Sequence, residues 1–198
     1  MTVQHVNRKG DTYYLITGRT RTGKPRYYFS RKQSDASVDR VPDGYEIYEK
    51  PGSAQVYLRK VKPTKITPLE HEMVADGIRR HAGLEHFVVD IEGDSLVIYL
   101  PGMSETDATG IASLLSSPLL AASAKLQAAK AEMIQRSAYS EMMRFELVDA
   151  DERLYTAQRW CFLGSIDAWH YLAGPTPLAT LIEQYVPHLG KETFYELI

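Results

Sequence analysis

The chain has very little of several things, and each scarcity excludes something. It has one cysteine, Cys161, in 198 residues. An internal disulfide is therefore impossible, and a four-ligand Cys/His zinc site lacks its thiolates. A reducing, cytoplasmic setting is the expectation. No apolar run approaches the roughly 20 residues that a membrane-spanning helix needs. The opening MTVQHVNRKGD has no apolar segment of signal-peptide type. There is no phosphate-binding glycine loop, dinucleotide fingerprint, GxSxG elbow or kinase signature. No repeat of solenoid period and no low-complexity tract occurs. The expectation is a protein without cofactor, resident metal or catalytic residues, held by a core that its 44% hydrophobic content can supply.

What is present is an uneven charge. The chain as a whole carries −2. Residues 1–67 hold 14 Lys/Arg against 6 Asp/Glu, a net +8, whereas 68–198 hold 9 against 19, a net −10. Such a split suggests two surfaces with different partners. The basic part suits a polyanion, an acidic protein, or the acidic part of this chain or of a second copy.

The basic part reads as an antiparallel β-meander. Residues 12–17 (TYYLIT) and 26–31 (RYYFSR) alternate as strands do, and RTRTGKP between them carries the Gly and Pro of a hairpin loop. If that hairpin is in register, Tyr13, Leu15, Tyr27 and Phe29 share one face, and Tyr14, Ile16, Arg26, Tyr28 and Ser30 share the other. QSDASVDRVPDG reads as a longer loop. A second hairpin, YEIYE (45–49) and QVYLRKV (55–61), completes four strands.

Beyond the linker KPTKIT, Thr67-Pro68-Leu69-Glu70 is a capping box with proline at the first helical position. Leu69, Met73, Val74 and Ile78 then form a helical stripe, and Gly83 is the stop. HFVVDI (86–91) and LVIYL (96–100) read as a hairpin. Residues 104–139 are helical in character: Ser104 opens a short helix, and Ser117-Pro118 opens a longer Ala-rich one. Its narrow apolar seam makes the 118–139 helix a candidate homodimer contact. MRFELVD (143–149) and RLYTAQRWCFL (153–163) make another hairpin. Residues 166–172 fit strand or helix. A last helix starts at Thr176-Pro177, and the tail KETFYELI is apolar enough to dock. The fold class is α+β: an N-terminal antiparallel β-meander, residues 1–62, followed by an acidic α+β domain of antiparallel hairpins and packed helices, residues 68–198.

The segments NRKGDTYYL, GKPRYYFSRK, MMRFELVD and RWCFLGSIDAW resemble a family of uncharacterised bacterial proteins. The resemblance runs along the full chain. It implies a bacterial, soluble protein and carries over no activity and no catalytic residue.

The candidate binding residues lie on or beside the first hairpin: Lys9, Arg19, Arg21, Lys24, Arg26, Tyr28, Arg31 and Lys32. Lysine and arginine pair with phosphates and release counterions. Aromatic rings on a sheet stack with unpaired bases, and a short β-sheet can enter a groove and read bases. The expected partner is DNA or RNA. A non-enzymatic nucleic-acid-binding protein is thus the first reading. The alternative is an accessory subunit docking on an acidic protein. In the plainest reading the cations blunt a sheet edge against aggregation and the tyrosines are core.

Other residues point to chemistry more weakly. Asp90 and Glu92, at i and i+2 on one strand, resemble the first motif of DEDD-type exonucleases and could hold a divalent metal, which makes a metal-dependent nuclease the weaker alternative function. The further acidic motifs are missing, and Glu92-Gly93-Asp94-Ser95 is simple turn chemistry. His71 and His81 lack the i, i+4 spacing of a zinc helix. Cys161 sits in apolar QRWCFLG, as a buried, inert thiol would, with His170 the nearest base in sequence. Trp160, Phe162 and Trp169 read as core.

Overall fold

The computed structural model describes residues 2–103, 108, 109, 111, 124–162 and 167–197. Among the described residues it has ten named strands, all in antiparallel sheets, and three named α-helices, an α+β fold that opens on a β-meander. The helices expected to open at Ser104 and Ser117 begin outside the described residues.

The chain divides into two compact units. One comprises Met1–Lys62 with Gly102–Ala138, and the other Pro63–Pro101 with Tyr139–Ile198. The division differs from a simple split into 1–62 and 68–198, because Gly102–Ala138 groups with the N-terminal residues. The reason lies at one hairpin of the second unit. Pro101 and Tyr139 are paired across adjacent strands, and the Gly102 N–H donates to the Ala138 carbonyl at 2.7 Å. The chain leaves and re-enters that sheet at one point, so everything between is an insertion.

In the first unit, β1 (Gln4–Val6), β2 (Thr12–Arg19) and β3 (Pro25–Ser30) form a three-stranded sheet, and β4 (Tyr45–Glu49) pairs with β5 (Val56–Lys60) in a separate ribbon. β1 was not expected, because three residues carry no readable alternation. Past its end, Ala36–Val38 takes over the same edge of β2: Thr17 N–H donates to the Ala36 carbonyl at 2.9 Å and Val38 N–H to that of Leu15 at 3.0 Å. Part of the expected long loop is therefore sheet edge.

Polar groups fasten the two ribbons together. The Glu49 carboxylate accepts from the Arg8 backbone N–H and from Arg8 Nη1, each at 3.2 Å, with His5 Nε2 at 3.3 Å. The buried Asn7 donates to the Ala54 carbonyl at 2.7 Å. Helix α2 (Ala124–Arg136) ends by passing Arg136 Nη1 to the Lys9 carbonyl at 2.7 Å. It stops short of the expected residue 139, because Tyr139 already opens a strand.

The second unit is a five-stranded sheet ordered β10-β9-β8-β7-β6, made of β6 (Val88–Glu92), β7 (Ser95–Pro101), β8 (Tyr139–Asp149), β9 (Leu154–Phe162) and β10 (Asp167–Pro177). The ambiguous residues 167–172 are strand. Leu96, Ile98, Met143, Phe145, Tyr155 and Ala157 are fully buried in one core with Val74 of α1 (Pro68–Gly77), with Ile78 just beyond it, and with Leu181 and Ile182 of α3 (Leu178–Tyr185). The tail docks as expected: Phe194 is fully buried, and Arg159 Nε donates to the Leu197 carbonyl at 2.6 Å.

Helix α1 begins at the expected capping box. Thr67 Oγ1 accepts from the Glu70 N–H at 3.3 Å, and Glu70 Oε2 accepts from the Thr67 N–H at 2.8 Å. A π-helical turn, Ile78–Ala82, extends it to Gly83, which is left-handed at φ +69°. The expected stripe is only half right. Val74 and Ile78 are buried, but Leu69 is 68% exposed and Met73 39%. The helix turns its Val74–Gly77–Ile78 side to the sheet and to α3.

Gly77 is the point of closest approach. A Cβ there would overlap Cγ2 of Ile182. Gly77→Ala improves helix propensity by about 1 kcal/mol, but overpacking costs roughly 1–3 kcal/mol. The expected result is a net loss of stability in urea melts. The double variant Gly77→Ala/Ile182→Ala should fall short of the sum of the two singles, since the alanine methyl then occupies space that Ile182 vacated. Additive losses would mean the helices do not meet there.

Candidate nucleic-acid interface

The β2–β3 hairpin has the expected register. Leu15 pairs with Phe29, Ile16 with Tyr28, Thr17 with Tyr27, Gly18 with Arg26 and Arg19 with Pro25. Cross-strand partners share a face, so the two expected sets of side chains are the ones that form. The loop is closed by Thr20. Its N–H donates to the Lys24 carbonyl at 2.9 Å, its carbonyl accepts from Gly23 at 2.9 Å, and its Oγ1 accepts from the Lys24 N–H at 3.1 Å. Gly23, at φ +80°, takes the left-handed position that this turn requires.

The two strands of the hairpin differ in character. On the central strand β2 both faces are covered: Leu15 is fully buried on one and Ile16 is 5% exposed on the other. In the loop and on the edge strand β3 as far as Tyr28 neither is covered. Every residue from Arg19 to Tyr28 is exposed, including Tyr27 at 37% and Tyr28 at 43%. The aromatics are therefore divided by strand rather than by face, with Tyr13 on the central strand β2 in the core and Tyr27 and Tyr28 on the edge strand β3 at the surface.

The eight candidate residues do not form one cluster. Arg19, Arg21, Lys24 and Arg26 ring the tip, with Tyr28 just behind them. The Arg26 guanidinium lies 5.8 Å from the Tyr28 ring centre. Among the described residues, none of these four cations has a carboxylate within ion-pairing distance.

Lys9, Arg31 and Lys32 lie at the other end of the hairpin. Arg31 is already engaged: Nη2 meets Asp11 Oδ2 at 2.9 Å, Nε donates to the Tyr13 hydroxyl at 3.3 Å, and its guanidinium lies 5.6 Å from that ring centre. The Tyr13 hydroxyl, and after it the Asp11 carboxylate, raise the Arg31 pKa above the ordinary guanidinium range. Two further features of the tip carried no signal in the sequence. Tyr27 is exposed opposite Thr17, and the Thr20 and Thr22 hydroxyls lie 3.0 Å apart at the apex. The TYYLIT and RYYFSR alternation contained Tyr27, but on a face that looked like core.

The other chemistry candidates are placed as follows. Asp90 and Glu92 lie on β6, with Gly93 at φ +64° in the turn beyond them. Asp90 Oδ1 accepts from the Ile91 N–H at 2.9 Å, and Glu92 accepts from the Tyr99 hydroxyl at 2.6 Å. Burial first, and then that hydrogen bond, raise the Tyr99 pKa, so Tyr99 stays protonated and donates. Among the described residues no three His, Cys, Asp or Glu side chains gather as metal ligands. His71 Nε2 lies 2.9 Å from the Val89 carbonyl. Cys161 is 2% exposed. Trp160 and Trp169 are half-buried in an edge-to-face pair at 5.1 Å, and the Arg144 guanidinium lies 4.6 Å from the Trp169 ring centre. Phe162, expected in the core, is 45% exposed, because it falls on the outward side of β9 beyond Cys161. No described helix is long and apolar enough to cross a membrane.

Comparison with protein-family models, curated proteins and solved structures finds no match. The functional reading therefore rests on the hairpin.

Proposed function

We propose that the protein binds nucleic acid through the β2–β3 hairpin, without catalysing a reaction on it. The observation that carries the reading is the tip itself: four cations without carboxylate partners among the described residues, and two exposed tyrosines, on a ribbon whose base is fixed in the core. Charges on an edge strand deter aggregation, but three of these four cations lie at or beyond the strand ends, in or beside the loop. Four cations held within a short hairpin repel one another, and an anionic partner relieves that repulsion. The acidic residues concentrated in 68–198 repel phosphate, which leaves the hairpin as the contact.

The test is fluorescence anisotropy of labelled DNA and RNA against the whole protein over a range of salt. Four phosphate contacts give a slope of log K against log salt of about −3.6, so affinity falls roughly 100-fold between 50 and 200 mM salt. The absence of binding at low salt would overturn the proposal. A stoichiometric acidic protein co-purifying with the chain in that case would favour the accessory-subunit reading, in which the same cations dock on carboxylates.

A further inference from the structure

We infer that the partner is duplex DNA of B form and that the hairpin tip enters its major groove. This rests on the nucleic-acid reading above and gives it a substrate class. The argument is the distribution of charge over the two faces. Arg19 pairs with Pro25 and shares a face with Thr17 and Tyr27, whereas Arg26 pairs with Gly18 and shares the opposite face with Ile16 and Tyr28. Arg21 and Lys24 lie in the loop between them.

A surface that binds one strand needs its cations and its aromatic rings on the same face, so that the backbone runs along the charges while bases stack on the rings. Here the strands give each face one exposed arginine and one exposed tyrosine, too few to seat a run of nucleotides on either. A groove presents two phosphate walls, one to each face of anything inserted between them. A ribbon with an arginine on either face meets that geometry.

Dimensions select the groove. A sheet with side chains on both faces is about 10 Å thick, the spacing at which sheets stack face to face. The minor groove of B-DNA is about 6 Å wide and the major groove about 12 Å. Only the major groove admits a ribbon with side chains on both faces. From the Thr17/Tyr27 pair to the loop apex the hairpin rises three to four residues, roughly 10–13 Å at about 3.3 Å each. The major groove is about 8.5 Å deep. The apex therefore reaches the base edges while Tyr27 and Tyr28 remain at the rim. Arg21 and the Thr20 and Thr22 hydroxyls occupy that apex, and these are side chains that hydrogen-bond base edges. The major groove of duplex RNA is narrow and deep and does not admit such a ribbon.

The experiment compares four labelled probes against the whole protein at low salt: duplex DNA, one of its single strands, duplex RNA and single-stranded RNA. Duplex DNA should bind at least tenfold tighter than the other three. Methyl green, which occupies the major groove, should displace the protein, and netropsin, a minor-groove ligand, should not. Arg19→Ala and Arg26→Ala should each weaken duplex binding by about five- to tenfold, each reducing the salt slope by about 0.9.

Equal or tighter binding of a single strand or of duplex RNA would overturn the groove assignment and leave the nucleic-acid reading standing. So would displacement by netropsin alone, or a weakening confined to Arg26→Ala. Binding to none of the four probes would overturn both. Because Arg19 and Arg26 are exposed, the variants keep their fold, which the circular dichroism spectrum checks.

Discussion

Replacing Arg19, Arg21, Lys24 and Arg26 together by alanine should remove nucleic-acid binding at 50 mM salt and flatten the remaining salt dependence, with the fold intact. The expected size follows from counterion release. Each phosphate bound contributes about −0.9 to the slope, so removing four cations reduces it by about 3.6. Affinity should fall by at least roughly 100-fold, past the weak end of non-specific binding, about 10⁻⁴ M. Stability should change little. The four side chains are exposed, and the Arg26 guanidinium, 5.8 Å from the Tyr28 ring centre, contributes about 0.5 kcal/mol at such an exposed site. Arg31→Ala is the informative companion. Its guanidinium is held by Asp11 and Tyr13, so removing it should weaken binding less than twofold while costing some stability. A variant at Arg31 as damaging as the fourfold tip variant would move the interface to the base of the hairpin.

That contrast also marks how far the sequence could be read. The register of β2 and β3, the turn at Gly23 and the two faces follow from alternation and turn chemistry, which act between neighbours in the chain. Whether Tyr13 or Tyr28 is core does not. Burial depends on which strand is central: β2 lies between β1 and β3, whereas β3 is the sheet edge, so Ile16 is buried and its cross-strand partner Tyr28 is exposed. Arg31 and Arg26 look alike in RYYFSR, yet one is neutralised by Asp11, twenty residues away, and the other is not. The same holds in the helices. The capping box and the Gly83 stop are local and were legible. The exposure of Leu69 and Met73 was not, because Gly77 brings α3 onto one side of α1 and fixes which side faces inward. Very short strands and the insertion were the least legible: β1 is three residues long, and the re-entry of the chain at Tyr139 is a long-range pairing with no local signature.

Glu70 shows the most consequential long-range pairing, and breaking it should give the largest loss of stability. From the sequence it is the third residue of a capping box. In the fold it is also buried, and its carboxylate accepts from Arg153 Nε at 2.9 Å and from Arg153 Nη2. Arg153 Nη2 further donates to the Lys65 carbonyl at 3.2 Å and to the Tyr155 hydroxyl at 3.2 Å. One ion pair thus joins the start of α1, the segment before it and the β8–β9 turn. Burial on its own raises the Glu70 pKa, but hydrogen bonds from Arg153, Tyr155 and Thr67 outweigh it and bring the group down to about 2. A carboxyl whose folded pKa is depressed adds stability above its unfolded pKa, about 4.3, and loses it as pH falls toward 2.

Arg153→Ala should cost about 3 kcal/mol at neutral pH, since it leaves a buried carboxylate without its cation. Arg153 also stands at φ +52°, a region that costs a residue with a Cβ about 1–2 kcal/mol. Arg153→Gly should therefore destabilise less than Arg153→Ala, by about 1 kcal/mol, although glycine ordinarily destabilises more. Urea melts of the two variants and of Glu70→Gln, from pH 7 to pH 3, measure all of this. The wild type should lose stability steadily below about pH 4.5, and Glu70→Gln should lose markedly less over the same window. Parallel pH profiles would show that Glu70 is not the titrating group. An alanine variant as stable as the glycine variant would show that the backbone at residue 153 is relaxed and that the ion pair alone holds the turn to α1.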